Sequence, residues 1–205
     1  MRLPVQEIAE VCRSRNVLTI VDGAQAVGMF PVNVGALNVD FYAGSGHKWL
    51  FGPRETGFLY VNPELRGDLN KGYSGAYSAY DIRLDTLSCR YEGSAASYEY
   101  GTRDVAKALA LEKAMKEMQT VGLDKVEQHG RALVARLRKK LLAAGGIEIL
   151  SPDDNLYASS ILSFRIPSRD YKDIYEGLLR KGMIRTRGIY EADLNAVRVS
   201  CALFN

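Results

Sequence analysis

Residues 17–23, VLTIVDG, form a continuous apolar run that ends in Asp-Gly. A run without polar alternation is typical of a strand buried on both faces of a parallel sheet. Apolar residues at helical spacing predict an amphipathic helix before it, over 4–15. Further strands are predicted at 39–45 and 56–62, with a short helix from about Ala24. This rhythm of helices and strands predicts an α/β layer.

The second half of the chain has a different character. Residues 63–100 are rich in Gly, Tyr and Ser, and they predict a long irregular connection of the kind that serves a site or an interface. Helical patterns follow at 104–119 and 122–144, the second ending at Gly-Gly. The rest predicts a small α+β domain. Its one helix is predicted at 170–182, and its strands are predicted at 147–150, 159–166, 183–186 and 196–204.

Composition excludes several classes of protein. The chain has 205 residues, 47% of them hydrophobic, and a formal net charge of +3, which gives no reason to expect nucleic-acid binding. Cys12, Cys89 and Cys201 are far apart and match no metal spacing, so we expect free thiols in a reducing compartment. The sequence has no apolar run of about 18 residues and no signal-peptide core. We therefore expect a soluble, cytoplasmic protein without a metal site or a membrane partner.

Two charged residues stand at the ends of predicted neighbouring strands. Asp22 ends the first strand, and Lys48 follows the second by a few residues, in the stretch AGSGHKWLFGPRETG at 43–57. Ligands bind at the carboxyl ends of strands in open α/β sheets, and both side chains should open on that edge. The tight Gly-rich loop predicts partial desolvation of Lys48, which would lower the ammonium pKa from about 10.4 and expose a nucleophilic amine.

These residues resemble the active-site core of a known family. VDGAQAVG, DFYAGSGHKWLFGP, YEYGTRD and VRVSCALFN, in this order, are similar to four motifs of the class V aminotransferase and cysteine desulfurase family of fold-type I pyridoxal-phosphate enzymes. The resemblance implies that 1–105 form the C-terminal part of a cofactor-binding large domain with a mostly parallel sheet. It implies that 106–205 form connecting helices and a small α+β domain. Because the chain opens within an α/β alternation and stops after a strand, we expect it to be part of a longer protein.

The resemblance also implies a role for each matching residue around the cofactor. Lys48 would form the Schiff base with pyridoxal phosphate and shuttle the Cα proton, and Asp22 would pair with the pyridinium nitrogen. Gln25 would hydrogen-bond the phenolic oxygen, and Ser45 and His47 would contact the phosphate.

The resemblance implies roles for three further residues, two at the cofactor of a neighbouring subunit and one at the substrate. Gly101 and Thr102 would contact the cofactor phosphate of a neighbouring subunit, which implies a homodimer with shared sites. Arg198 would bind the substrate α-carboxylate, a task suited to a bidentate guanidinium. Selection of a second acidic group by Arg185 and Arg187 is a further hypothesis.

Structural alternatives remain open for four of these residues. Gln25 is also suited to cap the helix predicted after the first strand, and Thr102 is suited to be the N-cap of the helix that follows it. His47 is also consistent with a packed, hydrogen-bonded side chain. Arg198 alternates with valines on a predicted strand, so it is also consistent with a solvent-facing position.

The chemistry is less closely defined than the family. The segment RTRGIYEADLNAVRVS at 185–200 lacks the mobile-loop cysteine that desulfurases need, and it favours the aminotransferase and isopenicillin-N-epimerase-like branch. Transamination is the leading prediction, and epimerisation, β-elimination and desulfurase-like chemistry are the alternatives. The rival hypothesis is a non-catalytic dimerisation fragment, because family members carry about as much chain again before the equivalent of Met1.

Overall fold

The structure, a computed structural model, describes residues 1–67 and 69–205. In these ranges the helices are α1 (Val5–Arg13), α2 (Val34–Leu37), α3 (Val105–Val121), α4 (Leu123–Ala144) and α5 (Tyr171–Gly182). The strands are β1 (Ile20–Asp22), β2 (Phe41–Ser45), β3 (Gly57–Val61), β4 (Ala79–Arg83), β5 (Ser88–Tyr91), β6 (Glu148–Ile149), β7 (Ile161–Arg165), β8 (Arg187–Ile189) and β9 (Ala196–Ser200). The α/β alternation predicted from the sequence is confirmed, with differences at five places.

The first sheet has the order β1-β2-β3. β1 pairs with β2 in parallel and β2 pairs with β3 antiparallel, so the predicted mostly parallel sheet is a mixed one in this part of the chain. Its core forms where α1 packs on the sheet, with Ala9, Val39 and Tyr42 buried. The prediction of a first strand buried on both faces is wrong, since Ile20 is 79% exposed. β1 is also an edge strand among the described residues, and its burial alternates, with Ile20 and Asp22 exposed on one face and Val21 half-buried on the other.

The connection between β1 and β2 differs from the predicted helix at Ala24. Residues 24–30 form turns, and the short helix α2 begins only at Val34, where the Asn33 side chain caps it by accepting the Ala36 N–H. Gly28 has φ +86°, and a Cβ on it would lie 2.5 Å from the backbone of Trp49. The chain therefore turns tightly at Gly28 against the segment that carries Lys48.

A β-hairpin lies in the region predicted to be irregular. β4 and β5 pair antiparallel, with a register shift between Tyr80 and Arg83. Both strands are only four or five residues long and lie in a segment rich in Gly, Tyr and Ser, so their short alternation did not stand out in the sequence. In the turn, Leu87 adopts a left-handed conformation with φ 49°. Leucine is not one of the residue types that favour such a turn, so the sequence carried no signal for it.

The second sheet has the order β6-β7-β9-β8 and is covered on one face by α4 and α5. Gly130 of α4 lets the helix approach closely, because a Cβ there would lie 2.2 Å from the Ser160 hydroxyl. The predicted strand at 183–186 is wrong. Met183 ends α5 in the left-handed conformation and the Ile184 N–H bonds back to the Leu178 carbonyl, so the strand starts only at Arg187.

A small apolar cluster joins the sheet β1-β2-β3 to the sheet β6-β7-β9-β8. Met29 and Trp49 from the first part of the chain pack with Ala202 from the last, and Ile161 of β7 packs against them. The division of the chain into parts 1–105 and 106–205 stays a prediction. Within the described ranges, none of the helices has the length and apolar character that a membrane crossing requires.

Candidate active site

Asp22 stands at the carboxyl end of β1, where the chain turns. Its Oδ1 accepts the Ala24 N–H at 2.9 Å, which leaves Oδ2 to face a ligand. Only glycine fits at position 23, because a Cβ there would lie 2.1 Å from the Tyr42 ring. Burial, and then the negative charge of Asp22, raise the pKa of Tyr42 above its ordinary value. The carboxylate is thus exposed at a strand end and electrostatically close to a buried phenol.

Gln25 lies three residues further on and is half-buried. Its Oε1 accepts the indole N–H of Trp49 at 2.9 Å. Because that indole is a donor only, the bond fixes the orientation of the amide, and the Gln25 NH₂ group points away as a donor for a ligand. No helix begins in the turns at 24–30, so the alternative role of Gln25 as a helix cap is wrong.

Ser45 and His47 follow at the end of β2. Ser45 is buried, and His47 is exposed with its Nδ1 3.2 Å from the Thr56 carbonyl oxygen and 3.4 Å from the Ser45 hydroxyl. Since a carbonyl oxygen only accepts, Nδ1 carries the hydrogen, and Nε2 is the free ring nitrogen. The Ser45 hydroxyl is therefore available to donate to a phosphate, and His47 Nε2 can donate as well when the ring carries a hydrogen on both nitrogens.

The backbone around Lys48 is fixed, while its side chain is free. The Gly46 N–H bonds to the Thr56 carbonyl at 2.9 Å and the Gly52 N–H to the Gly46 carbonyl at 2.8 Å. Leu111 of α3 packs so tightly on both glycines that a Cβ on either would collide with it. The Lys48 side chain is exposed, so the predicted partial desolvation is wrong for the residues described here. The loop buries its backbone and its neighbour Trp49, and it directs the amine to solvent.

Arg198 lies at the middle of β9, in the second sheet. It is half-buried, and its Nε is buried without a hydrogen-bond partner in residues 1–67 and 69–205. Burial, and then the nearby charge of Arg187, lower the pKa of Arg198. The Arg198 side chain is neither fully exposed nor fully buried, so the alternative of a solvent-facing position stays open, and the unpaired Nε–H is a donor that suits a carboxylate.

In the part of the chain that the structure describes, Gly101 and Thr102 are not hydrogen-bonded to the other candidate site residues. They form part of the segment before α3, and in the described ranges no hydrogen bond joins either of them to the residues at the ends of β1 and β2. The N-cap of α3 is Asp104, which accepts the Lys107 N–H, so the alternative role of Thr102 as N-cap is wrong. Lys107 also bonds Glu55 at 2.6 Å, which ties the start of α3 to the Lys48 loop.

The structure therefore brings the first group of predicted residues to one edge. Asp22 pairs in register with Ala43, two residues before Ser45, so the parallel strands deliver Asp22, Gln25, Ser45, His47 and Lys48 at neighbouring carboxyl ends. A cavity of about 350 Å³ opens beside Asp22 and Gln25 and extends under the N-terminal segment. The sequence analysis did not predict that Trp49 orients Gln25. The signal available for it was an indole next to the lysine in a Gly-rich loop.

The cysteines give no nucleophile at this edge. Cys201 is buried, and burial raises the pKa of its thiol. Cys12 lies on α1 and Cys89 on β5, and both are half-buried. In the described part of the chain, His, Cys, Asp and Glu side chains form no cluster suited to a metal ion.

The donor set fits pyridoxal phosphate. It offers an exposed amine, a carboxylate at a strand end, an amide whose NH₂ is turned outward, and a hydroxyl with an imidazole nitrogen for the phosphate. The orphaned Nε of Arg198 fits the carboxylate of an amino acid. The fold and the arrangement of these donors are consistent with fold-type I of the pyridoxal-phosphate-dependent proteins.

The chain belongs to the class-V aminotransferase family, whose family model (Aminotransferase class-V) matches residues 1–194. It is 32% identical over 219 residues to isopenicillin N epimerase from Amycolatopsis lactamdurans, covering 99% of this chain and 52% of the relative.

Solved structures agree with this family. Apo cysteine desulfurase from Thermococcus onnurineus NA1 matches 98% of the chain with a TM-score of 0.90 and 26% identity, over 52% of its own length. A C-DES variant with glycine covalently linked to its PLP cofactor matches 98% of the chain with a TM-score of 0.85 and 27% identity, again over 52% of its length. Relatives in the family bind pyridoxal phosphate. The chain spans about half the length of these relatives.

Proposed function

We propose that this chain is part of a pyridoxal-phosphate enzyme that acts on an amino acid, with transamination as its chemistry. The observation that carries the proposal is the exposed Lys48 amine on a rigid turn, at the same sheet edge as Asp22 and Gln25. Lys48 would hold the cofactor covalently, and Ser45 and His47 would bind its phosphate. Arg198 would bind the substrate α-carboxylate.

The roles of the chain's own residues follow from their positions. Bound pyridoxal phosphate supplies an electron sink next to the substrate Cα. Asp22 would hold a proton on the ring nitrogen through its free carboxylate oxygen, and Gln25 would donate its amide N–H to the phenolic oxygen. The Lys48 amine would take the proton from the substrate Cα and return it.

Borohydride reduction tests this proposal. The chain is incubated with pyridoxal phosphate and reduced, and mass spectrometry of peptides locates the adduct. We expect a single adduct on Lys48, and none there in Lys48→Arg, which keeps the charge. Scattered labelling of several lysines, or no labelling, would instead support the alternative of a non-catalytic dimerisation fragment.

Epimerisation is the second candidate, and the match to isopenicillin N epimerase over 99% of the chain favours it. Both reactions start with removal of the Cα proton, so they are distinguished by their products. Transamination yields a 2-oxo acid from the amino donor, whereas epimerisation changes only the configuration at Cα. β-Elimination would release sulfide from cysteine, whereas desulfurase-like chemistry would transfer the cysteine sulfur to an acceptor thiol as a persulfide and leave alanine. The buried Cys201 and the cysteine-free segment 185–200 argue against persulfide transfer.

The assembly and location are also part of the proposal. Gly101 and Thr102 would contact the cofactor of a second subunit, so we infer a homodimer with shared sites, and light scattering after gel filtration measures its mass. Residues 1–105 would belong to the cofactor-binding domain and 106–205 to the connecting helices and small domain. The three free cysteines support a cytoplasmic location.

A further inference from the structure

We propose that Arg187 is a specificity-determining residue that binds a second carboxylate of the substrate, next to the α-carboxylate held by Arg198. The inference deepens the proposed function and rests on it, because the role of Arg198 belongs to that function. It assigns the substrate to the amino acids with an acidic side chain.

The first observation is the register of the second sheet. Arg187 and Arg198 lie directly opposite each other where β8 pairs with β9, and Ser163 of β7 lies opposite Arg198 on its other side. Residues opposite each other share one face of the sheet, with Cβ atoms about 4.5–5.5 Å apart. Leu162 and Phe164, which flank Ser163, point into the core on the other face. The two arginines therefore stand side by side on the face that is turned away from α4 and α5.

The second observation is an excess of positive charge where Arg187 and Arg198 lie opposite each other. Like charges directly opposite each other destabilise a strand pair, and the charge of Arg187 contributes to the lowered pKa of Arg198. Glu191 is the carboxylate bound to Arg187, with Oε1 2.6 Å from Nη2. Arg198 makes no ion pair with any residue in 1–67 or 69–205, and its Nε lacks a partner. Of the two guanidinium groups, only that of Arg187 is thus paired with a carboxylate among the described residues.

The third observation is the difference in depth between the two arginines. The Nε of Arg198 is buried, whereas 47% of the Arg187 side chain is exposed. One guanidinium binds one carboxylate through two parallel N–H···O bonds. Arg198 therefore suits the inner α-carboxylate, and Arg187 suits a second carboxylate nearer the solvent. A spacing of about 5 Å between the side chains suits dicarboxylates of four or five carbons.

Glu191 occupies the position that the second carboxylate would take. It is 49% exposed, and Ala192 and Asp193 after it have φ 53° and 54°, a left-handed backbone that is uncommon outside glycine. A ligand carboxylate must displace Glu191 from Arg187 to bind. Loss of Arg187 should consequently lower the affinity for a dicarboxylate, and loss of the Glu191 charge should raise it.

The test is calorimetric titration of the full chain, incubated with pyridoxal phosphate, with glutarate and butyrate. These acids differ in the second carboxylate and lack an amino group, so binding is read without turnover. We expect glutarate to bind about tenfold tighter than butyrate, because a charge-assisted contact is added. Arg187→Gln should abolish this preference and leave butyrate unchanged, and Glu191→Gln should strengthen glutarate binding. Arg180→Gln, which removes an arginine with the same 2.6 Å (i, i+4) partner geometry on α5, is the matched control.

Three results would overturn the inference. These are equal affinities for the two acids in the parent chain, no binding of either acid, or an Arg187→Gln variant that loses glutarate and butyrate affinity alike. The last would mean that both arginines hold one carboxylate. Failure of the proposed function is read separately from the borohydride adduct on Lys48. An Arg187-dependent glutarate preference without that adduct would sustain the subsite alone, and the adduct without the preference would sustain the enzyme alone.

Discussion

The indole N–H of Trp49 donates a 2.9 Å hydrogen bond to the side-chain oxygen of Gln25. Trp49 is only 6% exposed, and its ring packs with Met29 and Ala202. The residue that follows the candidate cofactor lysine therefore also sets which end of the Gln25 amide faces the ligand. Trp49 is a positioning residue, because it acts on the ligand through Gln25.

Replacing Trp49 by Phe should weaken cofactor binding about three- to tenfold, since Phe keeps most of the packing and removes one hydrogen bond. Equilibrium titration of pyridoxal phosphate measures the effect. The same substitution in a Gln25→Ala background should have little further effect, because the two residues act together. Equal losses in both backgrounds would show that Trp49 contributes only to packing.

Substituting Gly28 by Ala should lower the free energy of unfolding by about 2 kcal/mol or more. The position has φ +86°, and the new Cβ would lie 2.5 Å from the Trp49 backbone, so neither conformation nor space suits Ala. Gly177→Ala in α5 is the matched control, because its Cβ meets nothing within 4 Å. It should stabilise by about 0.5–1 kcal/mol, as Ala does in a helix. Urea unfolding measures both changes, and similar midpoints for the two variants would contradict the close approach.

Replacing Asp22 by Asn should lower the rate of Cα hydrogen exchange of the substrate about 100-fold or more, while pyridoxal phosphate still binds. The neutral amide cannot hold a proton on the ring nitrogen, and such proton placement is typically worth a factor of this size. Deuterium incorporation into amino acids in D₂O measures the rate. Asp85→Asn is the control, because Asp85 also accepts a backbone N–H in an exposed turn. Unchanged exchange in Asp22→Asn would mean that Asp22 only stabilises its turn.

Cys201 should react with iodoacetamide more slowly than Cys12 and Cys89. It is buried, and burial raises the pKa of its thiol, so both access and the thiolate fraction are reduced. Timed alkylation followed by peptide mass spectrometry measures the three rates. Equal rates would show that β9 and the segment after it open readily.

The same thiol gives a pH dependence with a definite sign. Because the folded pKa of Cys201 is raised above the unfolded value of about 8.5, the folded state keeps its proton where the unfolded state has lost it. The free energy of unfolding should therefore fall as pH rises above about 8.5. Cys201→Ala should show a shallower fall over this range in otherwise identical unfolding curves. Parallel curves would mean that Cys201 does not contribute.

Part of the candidate site follows from sequence by general rules. Asp22 and Lys48 were predicted at one edge because parallel strands end at a common edge, and β1 and β2 are parallel. Helices α1, α3, α4 and α5 follow from their apolar periodicity. Asp104 rather than Thr102 caps α3, because sequence gives two suitable neighbours and the helix start decides between them.

Other features depend on contacts between distant residues, which the sequence does not encode locally. Examples are the bond between Trp49 and Gln25, with Trp49 close against the turn at Gly28, and the packing of Leu111 on Gly46 and Gly52 in the Lys48 loop.

Sequence alone was enough for the long helices, the family, and the strand-end placement of the carboxylate and the amine, because these depend on local periodicity, short motifs and short spacings. Only the tertiary structure decided that Arg187 faces Arg198. That pairing follows from the register of β8 and β9, which is set by a turn with Ala192, Asp193 and Asn195 in left-handed conformations. Asp and Asn adopt this conformation readily but Ala does not, so the residue types alone do not specify the turn, and the packing of the sheet fixes the register.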